Sequence, residues 1–210
     1  MNALTLPPRK QRIAPGMPRE LMWRCSLEQY HAMVEQGILT DEDEVELLAG
    51  WMVVKMPTNP PHASATDLLV DALRPLLPVE WIIRSQQPLT LPPDESEPEP
   101  DVAMVRGRRQ DFFQRHPTPA AVGLVVEVAD ATLARDRGLK REVYARSAIP
   151  EYWLVNLVEK VVEVYSDPMA DDQQPNYRTT RVYRPGEAIP LRLDGRELGQ
   201  IAVASILPVP

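Results

Sequence analysis

Three acidic residues stand on or beside apolar, strand-like segments: Glu46 in VELLAG, Asp101 in PEPDVAMV and Glu127 in LVVEVAD. A carboxylate in the middle of a buried strand costs several kcal/mol unless a cation or a proton meets it. Carboxylates brought to one point by strand ends also repel each other, and a hard divalent cation with oxygen ligands removes that repulsion. The expected compensating group is therefore a metal ion. Lys140 completes the pattern. If a helix begins near Asp136, then Asp136, Lys140 and Tyr144 fall on one stripe that can face back over the Glu127 strand. A lysine there can hold an attacking water or a phosphate oxygen and stabilise charge that grows in a transition state. The plainer alternative is a surface Asp136–Lys140 ion pair worth about 0.3–0.5 kcal/mol, and on either reading losing the lysine is expected to move stability little.

The elements that must position these residues follow from periodicity and punctuation. Ser26 suits the N-cap of a helix over LEQYHAMVEQ, with Gly37 just past its end. EVELLAGWMVVKM reads as two strand segments hinged at Ala49-Gly50, and PTNPP precedes a helix from about His62 to Leu77. WIIRSQQPLTL and DVAMV are strands, RGRRQDFFQRHPTP is a basic connection with room for a helical turn, and GLVVEV has the continuous apolar character of a central strand. A helix is expected from Asp136 to Ser147, followed by YWLVN and KVVEVY as a hairpin. YRTTRVYRPGEAIPLRL and its tail supply late strands at the sheet's edge, and the four tryptophans, Trp23, Trp51, Trp81 and Trp153, are expected in the core. The order is not the strict alternation of a doubly wound fold. It predicts an α/β protein with a mixed central β-sheet flanked by helices.

The chain of 210 residues suffices for one sizeable core, taken as a single domain over residues 21–210 after a loosely ordered, Pro- and charge-rich arm over 1–20. One Cys and three His exclude a disulfide framework and argue against structural zinc, which fits a reducing cytoplasm. No apolar run reaches the roughly 18–20 residues that span a bilayer, so no membrane partner is expected. A net charge of −7 argues against coating a polyanion with the whole surface while leaving a local basic patch open. Arg106, Arg108, Arg109, Arg135, Arg137 and Arg141 flank the two acidic strands in sequence and are candidates for such a patch. None of the nine glycines forms a GxGxxG or P-loop arrangement.

PEPDVAMV, LVVEVADATLARDRGLKREVYARSAIPEYWLV and KVVEVY, with VELLAGWMVVKM and PPHA before the second helix, resemble the Uma-two family of restriction-endonuclease-like proteins, in the PD-(D/E)xK nuclease superfamily. The resemblance covers about residues 26–165, with C-terminal strands over 176–205 beyond it. It implies a restriction-endonuclease-like core, Mg²⁺ (or Mn²⁺) as cofactor, DNA as partner and phosphodiester hydrolysis as the reaction, with a homodimer as a possible assembly. Under it Glu46, Asp101 and Glu127 would be metal ligands, and Asp101, Glu127 and Lys140 the catalytic set. His62, Gln86, Arg137 and Tyr144 would contact substrate.

Two positions depart from the pattern. An orthodox ExK motif would have Lys where this chain has Ala129, and the family's Ser-Pro turn after the Glu is replaced by Ala129-Asp130-Ala131-Thr132. The rival from another class is a catalytically inactive nuclease-fold module that binds DNA or a protein partner. A carboxylate-pair glycoside hydrolase ranks third, since its second acid needs no lysine stripe.

Overall fold

The structure is a computed structural model and describes residues 22–171 and 174–208. The arm expected over residues 1–20 lies outside the described residues. Ser26 caps helix α1 (Leu27–Glu35) in a reciprocal capping box with Gln29, as the sequence suggests. Strands β1 (Val45–Leu48) and β2 (Trp51–Val54) pair as an antiparallel hairpin. Both turn residues, Ala49 and Gly50, have positive φ (51° and 76°), as a type I′ turn requires. Helix α2 runs Pro60–Leu73 and continues as a 3₁₀ turn over Arg74–Leu76, which accounts for the expected stop near Leu77.

Six strands form the central sheet in sequence order: β3 (Trp81–Arg84), β4 (Val102–Arg106), β5 (Val122–Ala129), β6 (Glu151–Asn156), β7 (Val161–Met169) and β8 (Asn176–Tyr183). Only β5 and β6 run parallel; the other neighbours are antiparallel. The parallel step exists because a helical segment crosses between them: α3 (Leu133–Arg135), a π turn (Asp136–Lys140) and α4 (Arg141–Arg146). All eight residues of β5 are buried, which places it centrally with both faces covered. The last strands, β9 (Ala188–Leu193) and β10 (Arg196–Ala202), are not at the sheet's edge as expected. They form a separate antiparallel pair, and only β8 extends the sheet.

Alternation along β5 assigns its side chains to two cores. Val126 and Val128 join α2, Trp81, Trp153 and the β9–β10 layer, whereas Val125 and Ala129 join α4 and a tyrosine cluster. Trp81 and Trp153 are core residues, but Trp23 is largely exposed and Trp51 is half-buried beneath the Arg24 guanidinium. The two outliers belong to the small α1–hairpin unit, whose own core is the small cluster of Cys25, Leu27, Tyr30 and Leu47 with Met33 and Leu39 packed against it.

Gly123, early in β5, lies directly against Trp81 and Leu193 of β9. A Cβ there would sit 2.6 Å from the Trp81 ring and 2.7 Å from Leu193 Cδ2. Gly123→Ala is therefore expected to destabilise the fold by about 1–3 kcal/mol through overpacking, read as a lower urea midpoint at unchanged m-value.

Candidate functional site

Glu127 shares its face of β5 with Val125 and Ala129, so it points toward the helical segment that follows. The π turn and α4 cover that face and bring two partners. Lys140 Nζ donates to Glu127 Oε1 at 3.0 Å and Tyr144 Oη donates to the same oxygen at 2.6 Å. Lys140 also lies 3.2 Å from Glu46 Oε2 on β1, and that oxygen accepts the Glu99 backbone N–H. The lysine is 3% exposed, so the surface ion pair with Asp136 is not what the fold builds; Asp136 is itself buried. The expected stripe holds in that Asp136, Lys140 and Tyr144 all turn inward.

Asp101 reaches the same place from the neighbouring strand. Val102 pairs with Val126 in the antiparallel β4–β5 register, and continuing that register by one residue sets Asp101 opposite Glu127. Its Oδ2 accepts the Val128 N–H at 2.7 Å and lies 3.2 Å from His62 Nε2. His62 is in the first turn of α2, where Asn59 caps the helix by accepting the His62 N–H. Asn59 also donates to Asp130, in the segment that stands where the Ser-Pro turn would be.

Glu46, His62, Asp101, Glu127, Asp136 and Lys140 line one cavity of about 400 Å³, which also includes Gln86, in the loop after β3, and Arg135. Its walls carry seven carboxylates against Lys55, Arg135 and Lys140. Burial pushes the Glu127 carboxyl up to about 8; Lys140 pulls the other way, while Asp101, Asp136 and Glu46 add to the rise. Burial works against the charge on Lys140, but Glu127, Glu46 and Asp136 outweigh it and raise its pKa, so the ammonium persists. The hydrogen bond to Asp101 raises His62, and burial raises Asp136.

Arg137 and Tyr144 do not line the cavity. Arg137 leaves the π turn toward β7, where its guanidinium binds Glu163 and, in the turn before that strand, Glu159. Tyr144 stands behind Glu127 and is wholly buried. The flanking arginines also disperse. Arg106 pairs with Asp194, Arg108 with Asp111, and Arg141 lies over Tyr165. Asp101 and Arg106 bracket β4, and five residues of strand separate its ends by roughly 16 Å. Only Arg135 of that group lines the cavity; it donates to Val54 O at 3.0 Å and leaves Nε without a hydrogen bond. Glu99 and Lys55, joined by an ion pair at 3.0 Å, line the cavity too. Glu99 stands two residues before Asp101, on the same side of an extended chain, and that spacing is the signal that could have found it.

The donor set at this point, the carboxylates of Glu46, Asp101 and Glu127, is all oxygen and suits a hard divalent cation by type. In the arrangement described, those oxygens are engaged by Lys140, His62 and backbone N–H groups. Among the described residues no three of His, Cys, Asp or Glu are gathered as a ready metal-holding group. The fit is one of ligand chemistry and location, with the chain's own cations closing the site.

The family model Uma2, described as "Putative restriction endonuclease", matches residues 27–204. A crystal structure of "a putative nuclease belonging to DUF820" from Anabaena variabilis aligns with a TM-score of 0.61, covering 86% of this chain and 96% of that one at 14% identity. At that identity the likeness establishes the fold. No curated protein matches the chain.

Lys140→Ala would leave Glu46, Glu127 and Asp136 buried around no ammonium, and a loss of about 3–5 kcal/mol in unfolding free energy is expected; a loss below about 1 kcal/mol would mean the carboxylates are met otherwise. Glu127 gives a second prediction. Its folded pKa lies above the unfolded carboxyl value, so its contribution to stability is full below about pH 4.5 and is lost as pH rises through about 8. Glu127→Gln is expected to flatten the fall in melting temperature between about pH 5.5 and about pH 8.5, and an unchanged fall would mean that Glu127 is ionised throughout.

Proposed function

This chain belongs to the Uma2 family, and from that premise we propose that it is a metal-dependent endonuclease that hydrolyses DNA phosphodiester bonds. The observation that carries the reading is the meeting of Glu46, Asp101, Glu127 and Lys140 around one cavity, drawn from three separate parts of the chain. Glu46, Asp101 and Glu127 would hold Mg²⁺ or Mn²⁺. When bound, such an ion supplies Lewis acidity, lowering the pKa of water and offsetting charge on the phosphoryl oxygens.

The remaining roles belong to the chain. Lys140, charged at neutral pH, would keep a donor aimed at the attacking water or a non-bridging phosphate oxygen, a preorganised contact whose value is greatest in the transition state. Val128 N–H and His62 fix the Asp101 carboxylate. Gln86 and Arg135 line the cavity, and their side chains suit phosphate or sugar oxygens, although Arg135 is already drawn to Asp136 at 3.6 Å and Glu46 at 3.8 Å. Tyr144, buried behind Glu127, would orient that carboxylate, and Arg137 would brace the helical segment against β7.

A second reading, a nuclease-fold module that binds DNA or a protein partner without cleaving, is favoured by one observation. Lys140 already satisfies Glu46 and Glu127 internally, so the site closes without a metal.

Supercoiled plasmid incubated with the protein and Mg²⁺ or Mn²⁺ is expected to be nicked or linearised. Asp101→Asn should cut the rate by on the order of a hundredfold or more and abolish the rise in melting temperature that the cation gives the parent. Absence of cleavage with either ion, beside retained DNA binding, would transfer the assignment to the binding module.

A further inference from the structure

One edge of the central sheet carries a cationic patch that the proposed hydrolysis does not use. β3 is the outermost strand on the side away from β8, and its last residue, Arg84, pairs with Ala103 of β4. Cross-strand partners share a face, and Ala103 is two residues on from Asp101. Arg84 therefore stands on the face that carries Asp101, as its diagonal neighbour at roughly 7–8 Å between Cα atoms.

The connection from Arg106 to His116 lies beside Arg84 and holds four arginines and one acid in a chain of net charge −7. Its 3₁₀ turn (Arg109–Phe112) seats the Phe112 ring against the Arg84 guanidinium, 5.8 Å from the ring centre. The three-residue period of that turn puts Arg109 on the same side as Phe112. Arg106 and Arg108 are taken up by Asp194 and Asp111. Arg84 and Arg109 are not: among the described residues neither guanidinium forms a hydrogen bond or an ion pair. Burial, and then the like charge of Arg109, lower the Arg84 pKa, with no acid opposing them. Beyond the turn, Thr90 N–H donates to Pro117 O at 3.0 Å, which fastens the connection to the segment that carries Glu99 into the acidic cavity.

Two neighbouring guanidinium groups with no anion between them repel, and a phosphate oxygen pair offsets that repulsion while matching their planar donors. Phe113 ends the same turn with 79% of its surface exposed. Its ring offers nothing to a phosphate, and the bases of a duplex are stacked on one another, but an unstacked base can lie on its face.

We propose that Arg84 and Arg109 hold one backbone phosphate of a single-stranded DNA segment, with a neighbouring base on Phe113, and that this segment leads along β3 into the acidic cavity. The inference rests on the nuclease reading in naming DNA and in taking that cavity as the end of the track.

Fluorescence anisotropy of the full chain with a labelled oligothymidylate of about 20 nucleotides, without divalent cation so that nothing is cleaved, reads the patch directly. The single strand is expected to bind about tenfold or more tightly than its duplex with oligodeoxyadenylate. Arg84→Gln and Arg109→Gln should each weaken it about tenfold and make the slope of log K against log salt shallower by about 0.7. Phe113→Ala should weaken it about tenfold and leave that slope unchanged. Arg178→Gln, exposed on β8 at the opposite edge of the sheet, should change neither. Arg109 and Phe113 are exposed, so their variants decide the matter if Arg84→Gln does not fold. Absence of binding, a duplex bound as tightly as the single strand, or equal losses in Arg178→Gln would overturn the proposal. Plasmid cleavage beside oligonucleotide binding that ignores Arg109 and Phe113 would overturn it and leave the nuclease reading standing. Binding that depends on them without any cleavage would keep the patch and remove the nuclease.

Discussion

One ammonium buried among carboxylates is the interaction on which the arrangement of this molecule depends. Lys140 touches Glu127 at 3.0 Å and Glu46 at 3.2 Å, all three with almost no exposure. The ammonium cannot be buried here without acceptors around it, since an unpaired charge in such a place costs far more than the pair gains. The consequence is topological: β1, β5 and the helical segment must meet at one point for any of them to be buried. The β1–β2 hairpin, which belongs to no larger sheet, is tied to the body through Glu46 and through two backbone bonds, Glu97 N–H to Leu47 O at 2.7 Å and Gly50 N–H to Glu95 O at 2.9 Å.

Beneath the helical segment the sheet carries a row that is polar where the helix needs partners. Glu127 is in register with Leu154, and Leu154 with Glu163, so the two acids lie two strands apart on one face. Lys140 answers the first and Arg137 the second. Asn156 and Tyr165 complete the hydrogen bonds to Glu163, and Arg137 holds that carboxyl below its usual range against burial. Both contacts come from residues three apart, which one helical turn places on the same side. The backbone of the π turn is met from below, where Tyr152 Oη donates to Asp136 O at 3.0 Å.

Much of this was legible in the residues. Continuous apolar character identified β5 as central, and a buried Glu in it demanded a partner; the partner expected was a metal ion, whereas the group in contact is Lys140, from the helix carrying the Asp136, Lys140, Tyr144 stripe. The β1–β2 hinge and the Ser26 cap were equally plain, because turns and caps are local chemistry. What could not be read was long-range. Periodicity does not say whether Asp136 and Lys140 face solvent or a sheet, since both faces of a short helix satisfy the same spacing. The arginines near Asp101 and Glu127 in sequence were expected near them in space, but five residues of extended strand already carry Arg106 roughly 16 Å from Asp101. The β9–β10 pair has the same alternation as an edge strand, and only Gly123, with its absent side chain beneath Trp81 and Leu193, hints that another layer descends there.

The replacement of the expected strand lysine by Ala129 has a structural meaning. A lysine two residues after Glu127 on the same strand would be set beside it by strand geometry alone. Here Ala129 packs into the tyrosine-lined core, and the ammonium arrives from a helix. Its position is then only as good as the packing of that helix, which must be fixed by tertiary contacts. This accounts for the density of polar contacts on the segment itself: Thr132 to Asp136, Tyr152 to the Asp136 carbonyl, Arg137 to Glu163, Arg135 to the hairpin at Val54. Each of these holds the helical segment, and none of them requires a ligand. The carboxylates determine what chemistry the cavity can do, and the packing of the helix determines whether the lysine is present to take part in it.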